Sequence, residues 1–143
     1  MGDQELKEGE VIRGPSKTLT DAHFMFFAGL TGDCHPIHYD VEYAKRIGFE
    51  KPLAHGLLLM AMTALGATPA WPKLDGFLFI EQGCRFRKPA MVGDTIYAQL
   101  VVERVWQEGR HKIVRLASSI RNQRDEQLLE GFHLYRIRTA SAG

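Results

Sequence analysis

From Gly56 to Leu65 the chain reads Gly-Leu-Leu-Leu-Met-Ala-Met-Thr-Ala-Leu, a run of helix-forming residues with almost no polar face. A helix of this kind is held in place only when protein surrounds it. It falls well short of the roughly 20 apolar residues that span a bilayer, so its cover has to come from the rest of the chain. Four stretches rich in strand formers follow it, at residues 77–87, 95–106, 112–120 and 128–138. Alternation is visible in Ile113-Val114-Arg115-Leu116 and in residues 132–138, and Gly109 and residues 122–125 supply hairpin turns. The pattern specifies an α+β fold in which an antiparallel β-sheet, its last four strands in meander, wraps a central apolar α-helix.

The front of the chain prepares that helix. Residues 11–18 read as an opening strand. Thr20 is a good N-cap for a helix whose first turn carries Asp21, a charge suited to the positive helix end. The interior of that helix, residues 22–28, is apolar almost all round, which points to burial on more than one side, against the core, a ligand tail or a second subunit. Asp40 caps a second short helix over residues 41–47, ended by Gly48, and the central helix is expected over residues 55–65.

Composition sets the bounds. A length of 143 residues, 45% hydrophobic and 24% charged, fits one domain over residues 1–143 and excludes disordered and fibrous classes. A formal net charge of +1 gives no general case for nucleic acid or an anionic membrane, so anion binding must be local. Cys34 and Cys84 are too few for a disulfide framework, and the start of the chain is polar rather than basic then apolar. A cytoplasmic protein is the expectation.

The chemistry concentrates in Thr31-Gly32-Asp33-Cys34-His35-Pro36-Ile37-His38, followed by Pro52-Leu53-Ala54-His55-Gly56. Gly32 and Pro36 keep the first segment irregular, so Asp33 and His38 are able to converge on one point. A carboxylate paired with an imidazole is a general acid/base set. The same residues also suit plain turn-closing and helix-capping, and on the residues alone both readings stand. Cys34, His35, His38 and His55 are all able to ligate a metal, but adjacent Cys34 and His35 converge poorly on one ion, and no metal is expected. Cys84 reads as a small buried side chain.

The segment Phe27-Ala28-Gly29-Leu30-Thr31-Gly32-Asp33-Cys34-His35-Pro36-Ile37-His38, with Ala44 six residues on, resembles the hydratase signature of the MaoC-like dehydratases, which include the (R)-specific enoyl-CoA hydratases. The one departure is His35, where that pattern has Asn. The resemblance extends through residues 52–56 and from Arg85-Phe86-Arg87-Lys88-Pro89 to Gly93-Asp94, and covers roughly residues 11–139. It implies a hot-dog fold, a homodimer or higher homo-oligomer with sites at the subunit interface, and an acyl-CoA substrate with no cofactor.

It also implies roles. Asp33 and His38 form the catalytic pair that activates water, and the Gly56 backbone N–H faces the developing oxyanion of the thioester. His35, His55, Arg87 and Lys88 are candidate substrate contacts, the last two because Arg and Lys suit CoA phosphates, although a solvated strand end explains them as well. Thr63 or Ala64 falls where some relatives carry Ser, and Thr63 is left unassigned. The reaction implied is reversible hydration of a trans-2-enoyl-CoA to the (R)-3-hydroxyacyl-CoA. The alternatives are dehydration of a branched or dicarboxylic hydroxyacyl-CoA, and a noncatalytic domain that binds acyl thioesters.

Overall fold

The computed structural model describes residues 5–138. Its elements are β1 (Val11–Arg13), β2 (Lys17–Thr18), α1 (Asp21–Thr31), α2 (Val41–Arg46), α3 (Gly56–Ala61), β3 (Phe77–Phe86), β4 (Thr95–Glu108), β5 (His111–Asn122) and β6 (Gln127–Ile137). Short 3₁₀ turns occupy Pro36–His38, Leu65–Ala67 and Trp71–Lys73.

The strands form one antiparallel sheet in the order β1-β4-β5-β6-β3, with β2 also on β4, and the α+β architecture is the expected one. Strands β4, β5 and β6 run as a meander. The Asn122 side-chain oxygen accepts from the Arg124 and Glu126 N–H groups, at 3.0 Å each, to build the second hairpin. Strand β3 departs from the expected meander, for among the described residues it lies at the far edge, paired with β6 alone. The reason is that β1 and β2 already occupy the free edge of β4, through Ile12 opposite Leu100 and Lys17 opposite Ile96. The β3–β4 connection therefore crosses the fold. It is pinned on the way by Ala54 N–H to the Ala90 carbonyl and by Gly93 N–H to the Leu19 carbonyl, both 2.8 Å.

The opening strand is split in two. Gly14 N–H still reaches the Ala98 carbonyl at 2.9 Å, but Pro15 has no N–H to continue the ladder. Helix α1 begins as expected at Thr20, whose backbone N–H donates to His23 Nδ1 at 2.9 Å, so a histidine here takes the place that Glu holds in a capping box. Asp40 caps α2 by accepting from Tyr43 N–H at 3.0 Å. Helix α3 stops at Ala61, four residues before the expected end. The cause is local: the Thr63 hydroxyl donates to the Met60 carbonyl at 2.6 Å, and the Met62 N–H is shared between the Leu58 and Leu59 carbonyls, each 3.1 Å away.

The apolar interior lies between helices and sheet. Phe24 of α1 and Leu58 and Leu59 of α3 pack with Leu19, Ile96, Ala98, Ile120, Leu128 and Leu129. A second cluster, with Leu65, Leu100, Val102, Val114 and Leu116, fills the other end.

One buried polar chain ties the end of α3 to the sheet. Because the Thr63 hydroxyl donates to Met60, its oxygen accepts from His133 Nε2–H at 2.9 Å, which leaves His133 Nδ1 to accept from the Tyr135 hydroxyl at 3.3 Å. Burial lowers the His133 imidazole to about 4 and raises the Tyr135 phenol to about 12. The unfolded chain therefore takes up a proton at His133 near pH 6.5 that the folded chain refuses until about pH 4. Stability from this group is complete above pH 6.5 and is lost as pH falls through that window, on the order of 3 kcal/mol in all. Thermal melts from pH 7 to pH 4 should show a steep fall for the wild type and a shallower one for His133→Gln; parallel curves would contradict it.

Candidate active site

The loop between α1 and α2 is held in one shape by its own side chains. Gly32 ends α1 in the left-handed region, at φ +81°, with its N–H on the Ala28 carbonyl at 2.8 Å. The Thr31 hydroxyl donates to the Phe27 carbonyl at 2.8 Å, and its oxygen accepts the Asp33 N–H at 3.1 Å. Asp33 Oδ1 then accepts the His35 N–H at 3.3 Å, so this carboxylate does close a turn. Its other oxygen takes no hydrogen bond among the described residues. Oδ2 faces His38 Nε2 at 3.7 Å, beyond hydrogen-bond length.

His38 is fixed from its far side. Its Nδ1 lies 2.8 Å from the Leu53 carbonyl, which only accepts, so Nδ1 carries the hydrogen and Nε2 of the neutral ring keeps a lone pair. Burial pulls the imidazole below its ordinary value. The Leu53 carbonyl and the Asp33 carboxylate pull it back up, and the neighbouring His55 and His35 press it down. The net effect is downward, so the lone pair on Nε2 survives to lower pH than in a free imidazole.

His55 completes the cluster. It is 2% exposed, donates from Nε2 to the Asp33 backbone carbonyl at 3.0 Å, and stacks on His38 with ring centroids 3.6 Å apart and planes 21° apart. His55, a candidate substrate contact from the sequence, is thus buried against both members of the pair. The signal available is the spacing of Phe24 and Phe27 on α1, which line its pocket. The Leu53 carbonyl leaves no side-chain signal.

His35 takes part through Nδ1, which accepts from the Ile37 N–H at 3.2 Å and caps the 3₁₀ turn. An Asn side chain offers its oxygen to the same N–H, so the departure from the family pattern preserves the local job. His35→Asn should therefore keep turnover within about threefold. It also removes a group that presses the His38 imidazole down, so the acid limb of the pH–rate profile should move to slightly higher pH. Abolished turnover, or a shift to lower pH, would contradict this.

Gly56 opens α3 directly after His55, and as the first helical residue its N–H has no intrahelical acceptor. The Phe86 ring lies against it: a Cβ there would sit 3.2 Å from the ring. Gly56, Leu59, Phe86, Arg87 and Lys88 line one cleft of about 280 Å³. Arg87 is paired with Glu130 and Lys88 with Glu126. The structure thus brings Asp33, His38 and His55 together, and gathers Gly56, Arg87 and Lys88 in the adjoining cleft. A larger hollow of about 560 Å³, across β3, β5 and β6 around Gly83 and Phe132, shares none of these residues.

Asp33, His38 and His55 each offer a donor atom within 4.8 Å of the others, a set able to contact a cation. Nearly parallel stacked rings, however, aim their lone pairs along parallel lines rather than at one point, and His38 Nδ1 and His55 Nε2 are already engaged. Cys34 is exposed and lies outside this group.

A sheet folded over a short apolar helix, with a loop-borne carboxylate–imidazole pair beside the helix start, places the chain among hot-dog proteins. Residues 4–122 match the family described as MaoC like domain, and the chain belongs to that family. It is 31% identical over 101 residues to an (R)-specific enoyl-CoA hydratase of Rhodospirillum rubrum, covering 69% of this chain and 67% of the relative. An (R)-specific enoyl-CoA hydratase of Aeromonas caviae is 32% identical over 71% of this chain and 75% of its own length. The solved (R)-hydratase from A. caviae superposes with a TM-score of 0.82 at 28% identity, over 95% of this chain and all of that one. These relatives support a hydratase/dehydratase of the MaoC type.

Proposed function

We propose that the chain is a hydro-lyase that adds water reversibly to a trans-2-enoyl-CoA to give the (R)-3-hydroxyacyl-CoA. The observation that carries the proposal is the 3.7 Å gap between Asp33 Oδ2 and His38 Nε2, two acceptors that face each other without bonding. A water seated to one side of both atoms, about 2.8 Å from each, donates one O–H to each, and both contacts raise the nucleophilicity of its oxygen. That oxygen attacks the β-carbon while the pair takes one of its protons. Electron density moves to the thioester oxygen, where the Gly56 N–H stabilises it, and the pair returns the proton to the α-carbon. Water is consumed whole, and no redox partner or cofactor enters. Because α3 has only six residues, the local N–H rather than a long helix dipole supplies that stabilisation.

Arg87 and Lys88 line the Gly56 cleft, and their charges suit CoA phosphates, for which they would exchange their carboxylate partners. The relatives named as (R)-specific hydratases support the substrate class and the stereochemistry. A second copy of the chain is the proposed partner. Edge strand β3 exposes Leu78, Phe79 and Ile80, at 42%, 54% and 44%, along a backbone edge unpaired among the described residues, which another β3 would cover. Among the described residues no helix is long and apolar enough to cross a membrane.

The test is loss of enoyl-thioester absorbance with crotonyl-CoA and an octenoyl-CoA, with free thiol followed in parallel. Absorbance loss without thiol release is the expected result. Thiol release would mark a thioesterase, and ligand-induced thermal protection without turnover would mark a binding domain.

A further inference from the structure

We infer that His55 is a positioning residue that holds both members of the acid/base pair at once, an inference that rests on the hydratase reading above. Its Nε2–H bonds the backbone carbonyl of Asp33, which fixes the peptide plane from which the carboxylate projects. Its ring lies flat on His38, 3.6 Å away, while the Leu53 carbonyl holds the far edge of that same ring. His38 is thereby faced by Asp33, His35, His55 and Leu53 and has little freedom to turn out of the gap.

The fold alone does not ask for histidine here. The pocket is formed by Phe27, at 4.9 Å between ring centroids, and by the edge of Phe24, at 6.3 Å, surroundings that suit an apolar ring. An imidazole in that place gives up its hydration, and its Nδ1 is covered with no hydrogen-bond partner among the described residues. Among the described residues the one bond that offsets this runs to the residue that bears the proposed catalytic carboxylate. A buried polar side chain that costs stability, and whose one hydrogen bond among the described residues runs to the reactive loop, is explained by what it does for that loop.

The test pairs two variants. A phenyl ring in the same pocket would fill it and keep a ring against His38 but donate nothing, so His55→Phe separates the hydrogen bond from the packing. Gln carries a side-chain N–H at nearly the reach of Nε2, so His55→Gln restores the donor. Misplacement of a reacting group by about 1 Å costs on the order of 100-fold. The expected result is a melting temperature for His55→Phe equal to or above wild type, kcat lower by about 10- to 100-fold with KM within about threefold, and recovery of most of kcat in His55→Gln. Wild-type kcat in His55→Phe, or losses that track a lowered melting temperature in both variants, would overturn the inference.

Amide exchange gives a readout that does not depend on turnover. The His35 N–H, held by Asp33 Oδ1, should exchange faster in His55→Phe than in the wild type or His55→Gln. Unchanged exchange would overturn the clamp even in an active enzyme. Should the wild type turn over no enoyl thioester, the hydratase reading falls while the exchange experiment still decides whether His55 holds the loop.

Discussion

Asp33→Asn should lower kcat for enoyl-CoA hydration by about 10³-fold while leaving the melting temperature within about two degrees of wild type. The Asn oxygen keeps the turn by accepting the His35 N–H, as Asp33 Oδ1 does now. Its NH₂ then replaces Oδ2, putting a donor where the bridging water needs an acceptor and leaving no carboxylate to take its proton. The side chain of Asp33 is half exposed, so little packing changes. His38→Ala should lose a similar factor, but with a stability cost of about 1–2 kcal/mol, because the bond to the Leu53 carbonyl and the stacking on His55 go with the ring. Residues that act as a unit are not additive, so the double variant should be little slower than either single one. Steady-state kinetics with thermal melts on the three variants check all of this. Additive rate losses would show that Asp33 and His38 act independently.

Gly131→Ala should be the most damaging of the glycine-to-alanine changes in the described residues. Gly131 pairs with Cys84 across β6 and β3, and a Cβ on Gly131 would collide with the Gly83 carbonyl oxygen and lie 2.7 Å from Cys84 Cβ. The first obstacle is backbone, and it yields only if the two strands separate. The expected loss is about 3 kcal/mol, and the melting temperature falls by about 10 °C. Gly29→Ala is the control. Gly29 lies in α1, nothing stands within 4 Å of its would-be Cβ, and Ala is the better helix former by roughly 0.5–1 kcal/mol. Thermal denaturation should thus move in opposite directions for two chemically identical changes. Equal small effects would mean that β3 and β6 are not in close register at Cys84, the part of the sheet that carries the edge strand.

The alternating stretches after residue 77 announce β3 to β6 because strand periodicity is a local property, and Thr20 and Asp40 announce their helices because a cap bonds within three residues. The edge position of β3 is not legible, since it depends on β1 and β2, far earlier in the chain, having taken the free side of β4, a choice no local pattern records. The early end of α3 has a local cause in the Thr63 bond to Met60, but the apolar run hides it, and the hydroxyl's second partner, His133, arrives only with the sheet. In the site, Asp33 and His38 stand out by residue type. Their geometry depends on backbone carbonyls of Leu53 and Asp33 itself, and a carbonyl belongs to every residue and marks none. The turn-closing and catalytic readings of Asp33 are also compatible, one for each carboxylate oxygen.

The most direct test of the account is incubation of the wild-type chain with crotonyl-CoA and chiral resolution of the 3-hydroxybutyryl-CoA formed, alongside Asp33→Asn. Rapid formation of the (R)-product by the wild type, lost in a folded Asp33→Asn, is the result expected from a water held between Asp33 and His38. Hydration that persists in Asp33→Asn, or no hydration by a wild type that the thioester still protects against heat, would contradict it.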